Sequence, residues 1–124
     1  MNISEAASET GLSVDTIRFY EKSEMLPRLP RDDRGWRAFT VPAIDWLKIL
    51  ERLRATGMPL PEMRRFAVLV FGPEAASAAA TRERLDILRR HRARLAKAKA
   101  ELEACEAYVD MKIGIYTKEL EERS

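Results

Sequence analysis

A chain of 124 residues, 46% apolar and 34% charged, allows one small domain with one long appended element. It is too apolar for a disordered chain and too charged for a large buried core, which suits a helical protein with much exposed surface. A net charge of +2 attracts nucleic acid only weakly at long range, so any contact with DNA must come from local placement of charge.

The first third reads as two short helices. Ser4 is expected to cap a helix reaching about Thr10, which Gly11 ends by taking the left-handed conformation. Ser13 is expected to cap a second helix through about Lys22. At helical spacing Val14, Ile17 and Glu21 fall near one face, and Asp15, Arg18 and Lys22 on another. Capped helix, glycine turn and capped helix form helix-turn-helix syntax, although the same pattern also suits two helices that merely close a small core.

Residues 27–39 cannot continue a helix, because Pro27 and Pro30 interrupt it and Asp32-Asp33-Arg34-Gly35 is a turn cluster. A short β-hairpin is expected here, with its tip at Asp33 to Gly35 and a second arm from Arg37 to Phe39. Arg28, Arg31, Arg34 and Arg37 against Asp32 and Asp33 give a local charge of +2, with Trp36 among them. Such a hairpin suits a phosphate-gripping wing, since arginine forks two hydrogen bonds to phosphate and an aromatic ring packs on sugar. The alternative is a solvated loop with Trp36 packed on the core.

Thr40 is expected to cap a third helix with Pro42 in its first turn, an apolar stripe of Ala43, Trp46, Leu47, Leu50 and Leu53, and an end at Gly57. A fourth starts near Pro61, turns Met63, Phe66, Ala67 and Val70 inward, and stops at Gly72-Pro73. The remainder reads as one helix from about Thr81 to Leu120, about 60 Å long at the α-helical rise. Leu88, Leu95, Leu102, Val109 and Tyr116 recur every seven residues, as a coiled-coil position does. His91, Ala98, Cys105 and Lys112 occupy the matching second position, with Leu85, Ile113 and Leu120 one step round. A single helix cannot bury its own stripe, so a partner is implied.

Charge on this helix gives the partner's direction. Residues 82–99 carry eight basic against two acidic groups, and residues 100–124 three basic against seven acidic. Antiparallel pairing sets each basic half against an acidic one, whereas parallel pairing stacks like charges; an antiparallel homodimer is expected. The basic stretch could alternatively meet phosphates as a second DNA surface.

Other function classes find little support. One cysteine, Cys105, leaves no internal disulfide, and with one histidine, His91, no metal site is expected within the chain. The G-x-S-x-G, H-E-x-x-H and phosphate-loop signatures are absent, so neither an enzyme nor a cofactor is expected. The longest apolar run, Phe66 to Phe71, is far too short for a membrane span, and the first residues lack a signal-peptide pattern. A cytoplasmic protein without membrane association is expected.

The motifs resemble those of the MerR family of bacterial transcriptional regulators. Met1 to Ala7, Thr10-Gly11-Leu12-Ser13 and Thr16-Ile17-Arg18-Phe19-Tyr20-Glu21 match its helix-turn-helix. Arg31 with Gly35-Trp36-Arg37-Ala38-Phe39 matches its wing, and Leu53-Arg54-Ala55-Thr56-Gly57-Met58 the end of its third helix. The resemblance covers residues 1 to about 71. It implies an all-α fold with a small β-hairpin wing: a winged helix-turn-helix over 1–71, a linker over 72–80, a dimerisation coiled-coil helix over 81–120 and a tail over 121–124.

It also implies roles. Ser13, Asp15, Thr16 and Arg18 would lie at the DNA-facing side of the second helix, Arg18 being suited to fork onto guanine O6 and N7. Phe19 and Tyr20 would pack on sugar or bond phosphate, Arg31, Arg34, Trp36 and Arg37 would form the wing's grip, and Arg54 would add a phosphate contact. Leu88, His91, Leu95, Ala98, Leu102, Cys105, Val109 and Tyr116 would form the dimer seam. Two residues depart from the family pattern: Asp15 stands where some relatives have lysine, and Trp36 where tyrosine is common. The family's dimers bind a pseudo-palindrome in a promoter with an overlong spacer, and distort it to realign the elements for RNA polymerase.

No small-molecule effector is identifiable. The cysteines of metal-sensing and thiol-sensing relatives are missing, and with the chain running to Ser124 no drug-binding extension is expected. Cys105 reads as a buried, inert seam thiol rather than a redox switch. The competing reading of the whole chain is a protein-interaction module that binds a partner protein instead of DNA.

Overall fold

The computed structural model describes residues 1–124 and contains five helices and no sheet. They are α1 (Ile3–Thr10), α2 (Val14–Lys22), α3 (Val41–Ala55), α4 (Leu60–Phe71) and α5 (Ala78–Arg123). The chain divides into two compact units, Met1–Arg89 and Arg90–Ser124, so the division falls inside α5 rather than in a linker at 72–80. The reason is packing: Ala80 and Ile87, on the first turns of α5, are buried in the core of the first unit.

Helix boundaries follow local chemistry. The N-cap of α1 is Asn2, not the expected Ser4. Its Oδ1 accepts from Glu5 N–H at 2.8 Å while Glu5 Oε1 accepts from Asn2 N–H at 3.1 Å, a reciprocal capping box that Ser4 could not form here. Gly11 ends α1 with φ +75°, as expected. Ser13 caps α2 through Thr16 N–H at 3.0 Å, and Thr40 caps α3 through Ala43 N–H at 3.3 Å. Helix α5 begins three residues before Thr81, because Ser77 Oγ accepts from Ala80 N–H at 3.1 Å and Ala78 to Ala80 are strong helix formers.

The core of the first unit centres on Ile17, Tyr20, Met25, Leu47, Leu50 and Met63, all fully buried. Trp46 stacks on Phe66 at 5.9 Å, meets Phe71 edge-on at 4.9 Å, and donates through Nε1 to the Met25 carbonyl at 2.7 Å. That bond fixes the chain where it leaves α2 for the wing. Of the expected α4 face, Met63, Phe66 and Ala67 are buried and Val70 packs partly buried against the core, while Leu69 joins it as a buried residue the pattern did not include. Beside Leu69, Arg84 of α5 donates to the Leu69 carbonyl at 2.5 Å and to the Ala75 carbonyl at 2.9 Å. These bonds satisfy chain-end carbonyls of α4 and of the turn after it. In the second unit Leu95, Leu102, Val109 and Tyr116 are all exposed on α5.

Candidate nucleic-acid interface

The wing is smaller than expected. It contains no strands, only one antiparallel bridge between Arg31 and Arg37. Pro30 has no N–H to give, and the arms hold too few residues for a ladder. The hairpin path nevertheless survives, with Ala38 N–H donating to Pro30 O at 2.8 Å and Asp32 N–H to Trp36 O at 2.7 Å. Asp32 builds the tip, its Oδ1 accepting from Arg34 N–H at 2.9 Å and Trp36 N–H at 3.0 Å, while Gly35 takes φ +78°. Phe39 N–H donates to Met1 O at 2.7 Å, tying the wing to the start of the chain.

The wing is also locked to α2. Arg37 Nη1 donates to Glu21 Oε1 at 2.5 Å, and both side chains are largely covered. This lock helps form a cleft of about 260 Å³ lined by Asn2, Ile3, Arg18, Arg31, Trp36 and Arg37. Three guanidinium groups and an indole, drawn from α2 and from the wing, therefore converge on one surface. Trp36 is 56% exposed, so it is not a core residue, and Arg34 lies over its ring at 4.6 Å. Arg18 stands on the solvent face of α2 with Asp15 beside it at 3.8 Å.

The remaining site residues divide by burial. Ser13 and Thr16 spend their hydroxyls on each other, 2.8 Å apart, in the α2 cap. Phe19 is half-exposed next to Tyr20, ring centroids 6.0 Å apart. Tyr20 itself is only 1% exposed, which corrects the expectation that its ring packs on sugar: Ile17, Tyr20 and Met25 are on the inner face. Its hydroxyl is buried with no hydrogen-bond partner. Burial, then the nearby Glu51 carboxylate, push its pKa above the usual tyrosine value, while the Arg54 guanidinium pulls the other way. Arg54, on the last turn of α3, is held at both Nε and Nη2 by Glu51, at 3.0 and 2.5 Å, which raises its pKa further.

An orphaned buried hydroxyl predicts its own substitution. Tyr20→Phe is expected to raise the unfolding free energy at neutral pH by about 1 kcal/mol, because the unsatisfied group is removed and the ring kept. The folded protein holds the Tyr20 proton more tightly than the unfolded chain does. This contribution is thus complete below the unfolded value of 10.0 and is lost as pH rises through the higher folded value. Urea titrations should show a smaller loss of stability above pH 10 in Tyr20→Phe than in the wild type. An equal loss in both would show that Tyr20 is not its source.

Sequence reading missed three residues. Asn2, Glu21 and Glu51 hold the start of α1, Arg37 and Arg54 respectively. The Asn-x-x-Glu spacing of the capping box was a usable signal for Asn2, and Glu51 stands at helical spacing from Arg54. Nothing local pairs Glu21 with Arg37, sixteen residues away. On the proposed seam, Ala98 and Cys105 are exposed on α5, while His91 is 4% exposed in the single chain and has little surface left for a second copy. No group of three or more His, Cys, Asp or Glu could hold a metal ion, and no helix is long and apolar enough to cross a membrane.

This architecture is matched by known proteins. Residues 1–67 match the family model of MerR HTH family regulatory proteins, and residues 44–105 the model described as MerR, DNA binding. The chain belongs to the MerR family. Among MerR-family relatives, an HTH-type transcriptional regulator of Haemophilus influenzae is 45% identical over 50% of this chain and 46% of its own length. The regulator CueR of Yersinia pestis is 38% identical over 63% of this chain and 56% of its own. The matched chain thus spans about half the length of these two relatives. The regulator YyaN of Bacillus subtilis is 30% identical over 98% of this chain and 94% of its own. Among solved structures, HiNmlR, a MerR family regulator lacking the sensor domain and bound to promoter DNA, superposes with a TM-score of 0.79. It is 32% identical over 94% of this chain and 90% of that one. A MerR family regulator from Listeria monocytogenes gives a TM-score of 0.81 at 25% identity, over 94% of this chain and 85% of that one.

Proposed function

We propose that this MerR-family chain is a DNA-binding transcriptional regulator that acts in the cytoplasm as an antiparallel homodimer on a pseudo-palindromic promoter. The observation that carries this reading is the cleft where Arg18, Arg31, Arg37 and Trp36 converge. Arg18, on α2, faces base edges in the major groove, and the wing arginines grip flanking phosphates. The likeness to HiNmlR, which is bound to promoter DNA, supports the same assignment.

The exposed stripe of Leu95, Leu102, Val109 and Tyr116 pairs with a second copy, the basic residues 82–99 lying against the acidic residues 100–124. A two-fold dimer presents two copies of α2 to two half-sites. Distorting the DNA between them realigns the promoter elements for RNA polymerase, at an energy set by the deformability of the spacer. No catalytic step, metal or cofactor has a part in this mechanism.

Fluorescence anisotropy on the duplex immediately upstream of the coding region, across a salt series, tests the reading. Tight binding at two protomers per site, weakening steeply with salt, is the expected result. Arg18→Ala should lower the affinity about ten- to a hundredfold for that duplex and less for a scrambled one. Arg37→Ala should weaken both and flatten the salt dependence. Affinity indifferent to both substitutions, beside retained binding of a partner protein, would favour the protein-interaction reading.

A further inference from the structure

One arginine each of α2, the wing and α3 is paired with a carboxylate, but in different ways. Arg18 and Asp15 are loosely apposed at 3.8 Å with both side chains open to solvent. Arg37 and Glu21 are both largely covered, which makes that pair a structural lock. In the third pair the burial is unequal: Glu51 keeps 29% of its side chain exposed and Arg54 keeps 56%. The carboxylate is the more covered partner and the arginine the more exposed one.

Beside Glu51, the surroundings of this pair hold one other carboxylate, Asp15 on the first turn of α2. Tyr20 and Arg54 line one open groove of about 700 Å³ with Ser13 and Thr16 at the start of α2. The Tyr20 hydroxyl on its floor is a buried donor with no acceptor, although the Glu51 carboxylate is close enough to act on it electrostatically. The α2 N-terminus beside it adds the positive end of a helix dipole. A phosphate oxygen entering this groove would meet the Arg54 guanidinium, with the buried Tyr20 ring beneath it. While Glu51 occupies the Nε and Nη2 donors, an approaching phosphate meets a neutralised arginine and a fixed negative charge.

We propose that Glu51 is an intramolecular competitor of the DNA backbone: it holds Arg54 against α3 and sets the affinity below what the unpaired arginine would give. This rests on the DNA-binding reading above. When DNA docks, Arg54 exchanges the Glu51 carboxylate for a phosphate. Phosphate contacts carry no sequence information, so the restraint weakens binding to operator and non-operator DNA alike.

The test uses the full chain, a duplex that the wild type enriches from a randomised pool, and a scrambled duplex of equal length. Glu51→Gln is expected to raise the affinity about fivefold, in the range of exposed ion pairs, and by the same factor on both duplexes. In an Arg54→Gln background the same Glu51→Gln substitution should have no effect, because there is no arginine left to release. A fall in affinity in Glu51→Gln would overturn the proposal by making Glu51 a positioning residue. A gain that persists without Arg54 would overturn it by reducing Glu51 to a general charge effect. If the wild type enriches no duplex, the DNA-binding reading itself fails and this inference falls with it; if the wild type binds and the variants match it, only the competitor role is lost.

Discussion

Replacing Leu102 and Val109 together by aspartate is expected to convert the proposed dimer to monomers and to lower the affinity for a two-half-site duplex by about a hundredfold or more. Both side chains stand exposed on α5, Leu102 at 71%, on a helix whose residues 90–124 form a unit of their own. Burying one such aliphatic side chain is worth about 1.5–3 kcal/mol, and two-fold symmetry counts each position twice. Four aliphatic groups buried in the seam would become four carboxylates that must be stripped of water to pack there. The loss on DNA follows because a second half-site then binds as an independent molecule rather than at the high effective concentration of a tethered one. Sedimentation equilibrium gives the oligomeric state and anisotropy the affinity. A variant that stays dimeric at micromolar concentration would place the seam elsewhere on the helix.

Trp46→Ala is expected to cost about 3–5 kcal/mol of unfolding free energy, a large part of the stability of so small a domain. The substitution removes the stacking on Phe66 and the edge contact with Phe71. It also leaves the Met25 carbonyl without the donor it has at 2.7 Å in a buried setting, and such orphaned groups are expensive. Urea denaturation should show the midpoint falling sharply. Since Met25 fixes the passage from α2 to the wing, Trp46→Phe should show a second effect: a milder loss of stability together with weakened DNA binding. DNA affinity unchanged in a folded Trp46→Phe variant would mean that this hydrogen bond does not govern the wing.

Much of the site was readable from single residues. Arg18 had to be exposed once Ile17 was inside, because the helical period leaves neighbouring positions on different faces. The wing followed from Pro27, Pro30 and the Asp-Asp-Arg-Gly turn. The family likeness was carried by motifs in order rather than by any one of them. Two expectations failed for identifiable reasons. Ser4 is a good N-cap by type, but Asn2 has Glu5 three residues ahead and forms both bonds of the box. The family resemblance implies a sugar or phosphate contact for Tyr20, yet it lies on the same inner face as Ile17 and is packed away.

Local chemistry placed the elements to within a few residues: roughly where helices begin and end, which stripe of each is apolar, and which segment is too rich in proline and turn residues to be helical. These depend on interactions within about four residues, and such interactions are visible in the order of the side chains. Packing alone set which polar groups distant in the chain meet. Glu21 reaches Arg37 across sixteen residues, Trp46 reaches the Met25 carbonyl across twenty-one, and Arg84 reaches the Leu69 carbonyl across fifteen. No periodicity encodes such pairs. They form because burying the apolar faces of α1 to α4 fixes where the polar groups at the rim come to lie, and those groups then pair with whatever lies within reach. The convergence of Arg18, Arg31 and Arg37 on one cleft is a consequence of that packing.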